Sequence, residues 1–195
     1  VYCVVLAAGA SSRMGAPKLI MPLGGRSLLD RALEATSAFP TIVAIPPDLI
    51  EHVAPRANVR IVTNDEPERG MTRSFAIADA AIPDRAAAVA VVPADLPFLD
   101  EASIVRVVRA LDGADVAYPV RGGVAGHPVV FGPRPRTEVA GWPEGDTLRA
   151  LRDDPRWLRV VVDVTDDAPF VDVDTPADFA QARGRLNREK RGPRA

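Results

Sequence analysis

The first residues equipped for chemistry follow the opening apolar run. From Gly9 to Lys18 the chain carries two glycines, Gly9 and Gly15, two serines, Ser11 and Ser12, and two cations, Arg13 and Lys18. Glycine lets backbone N–H groups approach an anion closely, the hydroxyls add donors, and the fixed positive charges neutralise it. A polyphosphate is the simplest ligand for such a loop. Three common glycine motifs do not fit its spacing. A P-loop needs Gly, four residues and Gly-Lys-Ser/Thr, whereas five residues separate Gly9 from Gly15 and Ala16 follows. A dinucleotide fingerprint needs Gly where Ser11 stands, and a nucleophile elbow needs Gly where Arg13 stands. A Rossmann-type oxidoreductase therefore lacks its fingerprint here.

Such a loop must be held by regular elements. Val1 to Ala8 reads as a buried strand, Ser27 to Phe39 as a helix with Leu29, Ala32, Leu33 and Thr36 on one face, and Thr41 to Ile45 and Val59 to Val62 as further strands. Thr72 is positioned to cap a helix reaching Ile82. Ala87 to Val92 is a nearly continuous apolar run, as expected of a central parallel strand covered on both faces. A helix over Asp100 to Leu111, strands at Val116 to Pro119 and Val129 to Phe131, a helix near Thr147 to Arg152, a strand near Leu158 to Val164 and a helix from Pro176 to about Leu186 complete the pattern. Strands alternating with helices of this length predict an α/β domain, a single three-layer, doubly wound and mostly parallel sheet over residues 1–186. Residues 187–195 read as a basic, disordered tail. Ligands of such sheets bind beyond the carboxyl ends of the strands, where the Gly9 to Lys18 loop falls.

Composition narrows the function classes. At 195 residues, 47% hydrophobic and 26% charged, the chain has the make-up of an ordinary globular domain. A formal net charge of −2 gives no general attraction to nucleic acid or membrane. Val1 to Ala8 is too short to span a bilayer and lacks a basic leader. The single cysteine, Cys3, cannot build a disulfide framework or a cysteine zinc site, which fits a reducing cytoplasm.

Residues Leu6 to Lys18, LAAGASSRMGAPK, resemble the signature loop of the MobA-like nucleotidyltransferases, and the LAAG opening resembles the molybdenum cofactor cytidylyltransferase branch more than the guanylyltransferase branch. The resemblance implies a Rossmann-like nucleotidyltransferase fold and nucleotide contacts from Leu6, Ala7, Ala8, Gly9, Ser11, Arg13 and Lys18, the last two acting on the phosphates. It implies transfer of a nucleoside monophosphate from CTP, or else GTP, to a phosphorylated acceptor, with pyrophosphate leaving. That reaction calls for Mg²⁺, because two side-chain cations do not neutralise a triphosphate and its departing pyrophosphate. Asp95, just past the long apolar strand in VAVVPADLPFLD, resembles the family's metal-binding aspartate.

Asp172 and Asp174 in FVDVDTPADF alternate with valines and so point to the same side of a strand. The family's register makes Asp174 the second metal contact and Asp172 the fallback, while an ordinary helix entry at Pro176 is the other reading. NDEPERGMTRSF resembles the nucleotide-side loop and implies contacts from Asn64, Gly70, Met71 and Ser74; Gly70 with Thr72 would present a helix N-terminus to an anion. GHPVVF resembles the acceptor-side strand, which puts His127 beside the acceptor unless it only packs a turn. Two departures leave base and acceptor open. EGDTLRALRDD lacks the second glycine of a Gly-Asp-x-Gly-x-Arg turn, and Leu96 follows Asp95 where a cytidylyltransferase often shows Gln or Met. The acceptor is then molybdopterin or another phosphorylated metabolite, and a non-catalytic nucleotide- or cofactor-binding protein is the alternative of a different class.

Overall fold

Apolar runs that find cover on both faces become central strands, and here they build one sheet. The computed structural model describes residues 1–7, 17–139, 141–142 and 147–191. In chain order the strands are β1 (Tyr2–Leu6), β2 (Pro22–Leu23), β3 (Arg26–Ser27), β4 (Thr41–Ile45), β5 (Val59–Thr63), β6 (Val89–Pro93), β7 (Val116–Arg121), β8 (Val124–Ala125), β9 (Val129–Phe131) and β10 (Arg159–Asp163). The helices are α1 (Leu28–Ala35), α2 (Met71–Asp79), α3 (Glu101–Ala110), α4 (Pro133–Val139), α5 (Leu148–Asp153) and α6 (Pro176–Arg191). The main sheet runs β10-β7-β9-β6-β1-β4-β5, with β8 paired to β7 off this path, and β2 and β3 form a separate two-stranded ribbon. β1 pairs in parallel with both β4 and β6, β4 with β5, and β7 with β10. β9 runs antiparallel between β6 and β7.

Alternation along β1 sends Cys3 and Val5 to one core and Val4 and Leu6 to the other. The first core is closed by α1, α3 and α6 through residues such as Leu29, Ile104 and Phe179. The second is closed by α2, α4 and α5 through Phe75, Val139 and Leu151, with the rings of Phe75 and Phe131 stacked at 5.6 Å. Three layers around a mostly parallel sheet are therefore the architecture. Arg136 joins two helices of the second layer, its Nε donating to Asp79 Oδ1 at 2.7 Å and its Nη1 to the Ala86 carbonyl at 3.2 Å.

Local differences from the expected elements have local causes. α1 stops at Ala35 rather than Phe39, with Ser27 as its N-cap accepting from Asp30 N at 3.0 Å. α2 begins at Met71, so Gly70 and not Thr72 is its cap. It ends at Asp79 because Ala81 N and Ile82 N turn back to Ala78 O and Asp79 O ahead of Pro83, which disfavours helix at Ile82. α6 continues past Leu186 to Arg191, so the first residues expected in the tail are helical. The segment at Asp172 to Asp174 is not a strand: its backbone bonds to a loop, through Val173 N to the Asp95 carbonyl at 3.0 Å. α4 and the β2–β3 ribbon are elements the sequence reading missed; Pro133 and Pro135 masked the helix.

Candidate active site

The register Leu6↔Pro93 between β1 and β6 brings whatever follows those two strands to the same edge of the sheet. β1 is also where the strand order turns back, so this edge is the switch-point crevice of the fold. Ala94 N extends the pairing to the Leu6 carbonyl at 3.1 Å, and Asp95 follows in the turn. β9 is antiparallel to β6, so its leading end, with His127, lies at this edge as well.

Lys18, in a short 3-10 turn, is 4% exposed and reaches across the bottom of the crevice. Its Nζ donates to Asp95 Oδ2 at 2.9 Å, to Asp174 Oδ1 at 2.7 Å and to the Val173 carbonyl at 2.9 Å. Residues 77 and 156 positions from Lys18 in sequence are thus tied to one ammonium. Burial alone would lower the Lys18 pKa, but the Asp95 charge and the hydrogen bonds to Asp174 and Asp95 outweigh it and raise it. Val173 fastens this segment from beneath: its side chain is fully buried while its N–H bonds the Asp95 carbonyl. Beyond it, Asp178 Oδ2 accepts from Asp174 N at 3.2 Å, Thr175 N at 2.8 Å and Thr175 Oγ1 at 2.7 Å, and Asp178 N bonds back to Thr175 Oγ1 at 3.2 Å. This reciprocal cap sets the turn that carries Asp174. The Thr175 bonds hold the Asp178 carboxyl below the usual carboxylate range.

Asp95, Asp172 and Asp174 line one cavity of about 430 Å³ together with Lys18 and His127. Burial, then the charges of Asp174 and Asp95, push the Asp172 pKa up. Among the described residues, no group of three or more His, Cys, Asp or Glu side chains is arranged to hold a metal by itself. Two carboxylates on one cavity nevertheless fit Mg²⁺ or Mn²⁺, which take oxygen ligands and complete their shell with water and other oxygen donors. The crowding of negative charge around Asp172 fits as well, since a divalent cation would relieve it.

His127 lines this cavity and a second one of about 370 Å³ beside it. Its N–H bonds the Pro169 carbonyl at 2.9 Å, while Nδ1 is buried with no partner among the described residues. Burial lowers its pKa to about 4, opposed by the Asp95 charge, so the ring is neutral at pH 7. The second cavity has an apolar floor of Leu6, Val91, Val129 and Phe131, with Arg149 and Arg152 of α5 at its side. Arg152 holds Asp153 through two bonds of 2.7 Å and lies 4.9 Å from the Tyr118 ring centroid. The sequence reading missed these two arginines; the Thr147 cap, with cations three apart on the helix it starts, was the available signal.

Met71 is 50% exposed and reaches both cavities. Gly70, at φ +88°, occupies the left-handed region that a side chain would strain. Asn64 and Ser74 are buried beneath this loop: Asn64 Nδ2 donates to Ser74 Oγ at 2.9 Å, Asn64 Oδ1 accepts from Glu66 N at 3.0 Å, and Ser74 Oγ donates to the Gly70 carbonyl at 3.3 Å. Leu6 and Ala7 end the strand, with Ala7 N bonded to the Ala44 carbonyl at 2.9 Å. Ala8, Gly9, Ser11, Ser12 and Arg13 lie outside the described residues.

The chain is similar to known proteins over most of its length. The family model of the MobA-like NTP transferase domain matches residues 3–161. The chain is 32% identical to a molybdenum cofactor guanylyltransferase of Sinorhizobium fredii, covering 95% of this chain and 91% of that protein. It is 25% identical to the molybdenum cofactor cytidylyltransferase of Escherichia coli K12, covering 94% and 95%. Among solved structures, Rv0371c of Mycobacterium tuberculosis in complex with manganese superposes with a TM-score of 0.74 at 22% identity, covering 94% of this chain and 97% of that one. Asp172 and Asp174 fall beyond the family match, so their part in the site rests on the geometry. With a family match over most of the chain and a relative 32% identical over 95% of it, this protein belongs to the MobA-like NTP transferase family and is a nucleotidyltransferase.

Proposed function

We propose that the protein transfers CMP from CTP to a phosphorylated acceptor, with molybdenum cofactor the leading candidate, in a Mg²⁺-dependent reaction that releases pyrophosphate. The observation that carries this reading is the meeting of Asp95 and Asp174 on Lys18 at the switch-point crevice, the sheet edge where β1 ends. Asp95 and Asp174 hold the cation, with Asp172 beside them. When bound, the cation neutralises charge on the triphosphate and on the departing pyrophosphate. Backbone N–H groups from Ala8 to Ser11, with Arg13 and Lys18, hold the phosphates. Leu6, Ala7, Gly70 and Met71 shape the nucleotide side, and Asn64 and Ser74 support the loop from below. His127, neutral, stands between the two cavities and orients the acceptor by hydrogen bonding rather than by charge.

An acceptor phosphate oxygen attacks the α-phosphorus in line as the bond to the β-phosphate oxygen breaks, with no covalent enzyme intermediate. Positioning and charge neutralisation supply the rate. A GTP-dependent reading is favoured by the 32% identity to a guanylyltransferase, whereas LAAG at Leu6 to Gly9 favours CTP. No described helix is long and apolar enough to cross a membrane, and a reducing cytoplasm is the proposed location, with no nucleic acid as partner.

The test is a panel of CTP, GTP, ATP and UTP, each with and without Mg²⁺, read by thermal shift and by pyrophosphate release in the presence of molybdopterin. One triphosphate should raise the unfolding midpoint only with the metal, and Asp95→Ala should abolish release. Retained turnover in Asp95→Ala at saturating Mg²⁺ would remove its metal role; no response to any triphosphate would remove the transfer reading.

A further inference from the structure

Lys18, expected to act on the phosphates, is also the residue that ties two crevice aspartates together. The side chain is 5% exposed, and the two carboxylates it pairs with remain 24% exposed at Asp95 and 42% at Asp174. An ammonium has three N–H donors, and Asp95 Oδ2, Asp174 Oδ1 and the Val173 carbonyl match that number. Lys18 lines the same cavity as the two carboxylates, with its ammonium bonded to both.

We infer that Lys18 is the resident counter-ion of the metal site, joining Asp95 to Asp174 and neutralising part of their charge, so that a free divalent cation binds weakly and enters with its triphosphate. The inference rests on the proposed metal role of the two aspartates. Its physical basis is a unit positive charge within 2.9 Å of one oxygen of each ligand, which repels a second cation brought to the same carboxylates. Mg²⁺ gives up water reluctantly, so a site with two ligands and a built-in positive charge is a poor exchange for its hydration shell. A triphosphate brings the missing negative charge and the missing oxygens.

Mn²⁺ alone, without nucleotide, is the probe, measured by calorimetry on the wild type, Lys18→Met and Lys18→Arg. Lys18→Met should bind Mn²⁺ about tenfold or more tightly than the wild type, and its unfolding midpoint should rise more on adding Mn²⁺. Lys18→Arg, which keeps the charge, should stay near the wild type. A residue that served only to position the aspartates would give weaker binding on removal, so equal or weaker Mn²⁺ binding by folded Lys18→Met overturns the inference. Should Lys18→Met not fold, the wild type decides: affinity for Mn²⁺ alone of about millimolar supports the inference, and about micromolar overturns it. Failure of the transfer reading is a separate result, namely that no triphosphate raises the wild-type midpoint whatever the metal.

Discussion

Replacing Gly126 by Ala should disturb the proposed metal side of the crevice without touching a carboxylate. A Cβ at that position would lie 2.6 Å from the Pro169 carbonyl oxygen, 2.6 Å from Phe170 Cε1 and 2.7 Å from Phe170 Cδ1. Those distances are about 1 Å inside the ~3.5 Å at which carbon contacts become favourable. Phe170 is half-buried and its ring can swing outward, but the Pro169 oxygen is backbone and already accepts the His127 N–H at 2.9 Å. The turn Ala168–Phe170 must therefore move, and it leads straight into Asp172 and Asp174. Overpacking of this kind costs about 1–3 kcal/mol, which in a chain of this size lowers the unfolding midpoint by roughly 2–12 °C. The assay is thermal unfolding of Gly126→Ala together with the Mg²⁺ concentration needed for half-maximal nucleotidyl transfer. The midpoint should fall and the Mg²⁺ requirement should rise. Phe170→Leu added to Gly126→Ala should restore only part of each, because the carbonyl contact persists. An unchanged midpoint would refute the close approach; a lowered midpoint with an unchanged Mg²⁺ requirement would refute the coupling of this turn to the carboxylates.

Three further outcomes follow from buried groups. The His127 pKa of about 4 lies below its unfolded value of about 6.5, so its contribution to stability is present above pH 6.5 and lost as pH falls toward 4; denaturant unfolding should show a loss of about 2 kcal/mol from this group between about pH 7.5 and about pH 5, and a His127→Gln variant with the same pH dependence as wild type would exclude it. Cys3, fully buried with its thiol pushed up to about 12 by burial, should resist thiol reagents until the protein unfolds, so that labelling of this single cysteine reports global opening; native-state labelling at the rate of an exposed thiol would contradict the packing of β1. Arg136→Ala should cost about 3 kcal/mol in denaturant unfolding by stranding Asp79, whereas Asp79→Leu with Arg136→Leu should recover most of it; equal losses in the two variants would show that the pair itself contributes the stability.

The legible parts of this protein were those decided over short stretches of chain. Continuous apolar runs at Tyr2–Leu6 and Val89–Pro93 announced central strands because burial on both faces leaves no polar alternation. Asp172 and Asp174 share a cavity as their spacing of two suggested, although the segment is not a strand, because the intervening Val173 alone is drawn into the core. The glycine, serine and cation content of the loop after β1, and its likeness to a known signature, pointed to phosphate chemistry from one stretch of sequence.

What the tertiary structure decided are the pairings between distant positions. No spacing within the sequence says that Lys18 will meet Asp95 and Asp174, since that depends on β6 joining β1 in the register Leu6↔Pro93 and on Val173 bonding to the loop beyond β6. The antiparallel course of β9, which brings His127 to the active edge, and the burial of Asn64 against Ser74 depend in the same way on which elements become neighbours. A side chain's type and local direction follow from the residues beside it, but the partner it acts with is set by strand order and layer packing. That is why the kind of chemistry could be read from the sequence, and the arrangement of charges in the crevice could be seen only in the folded chain.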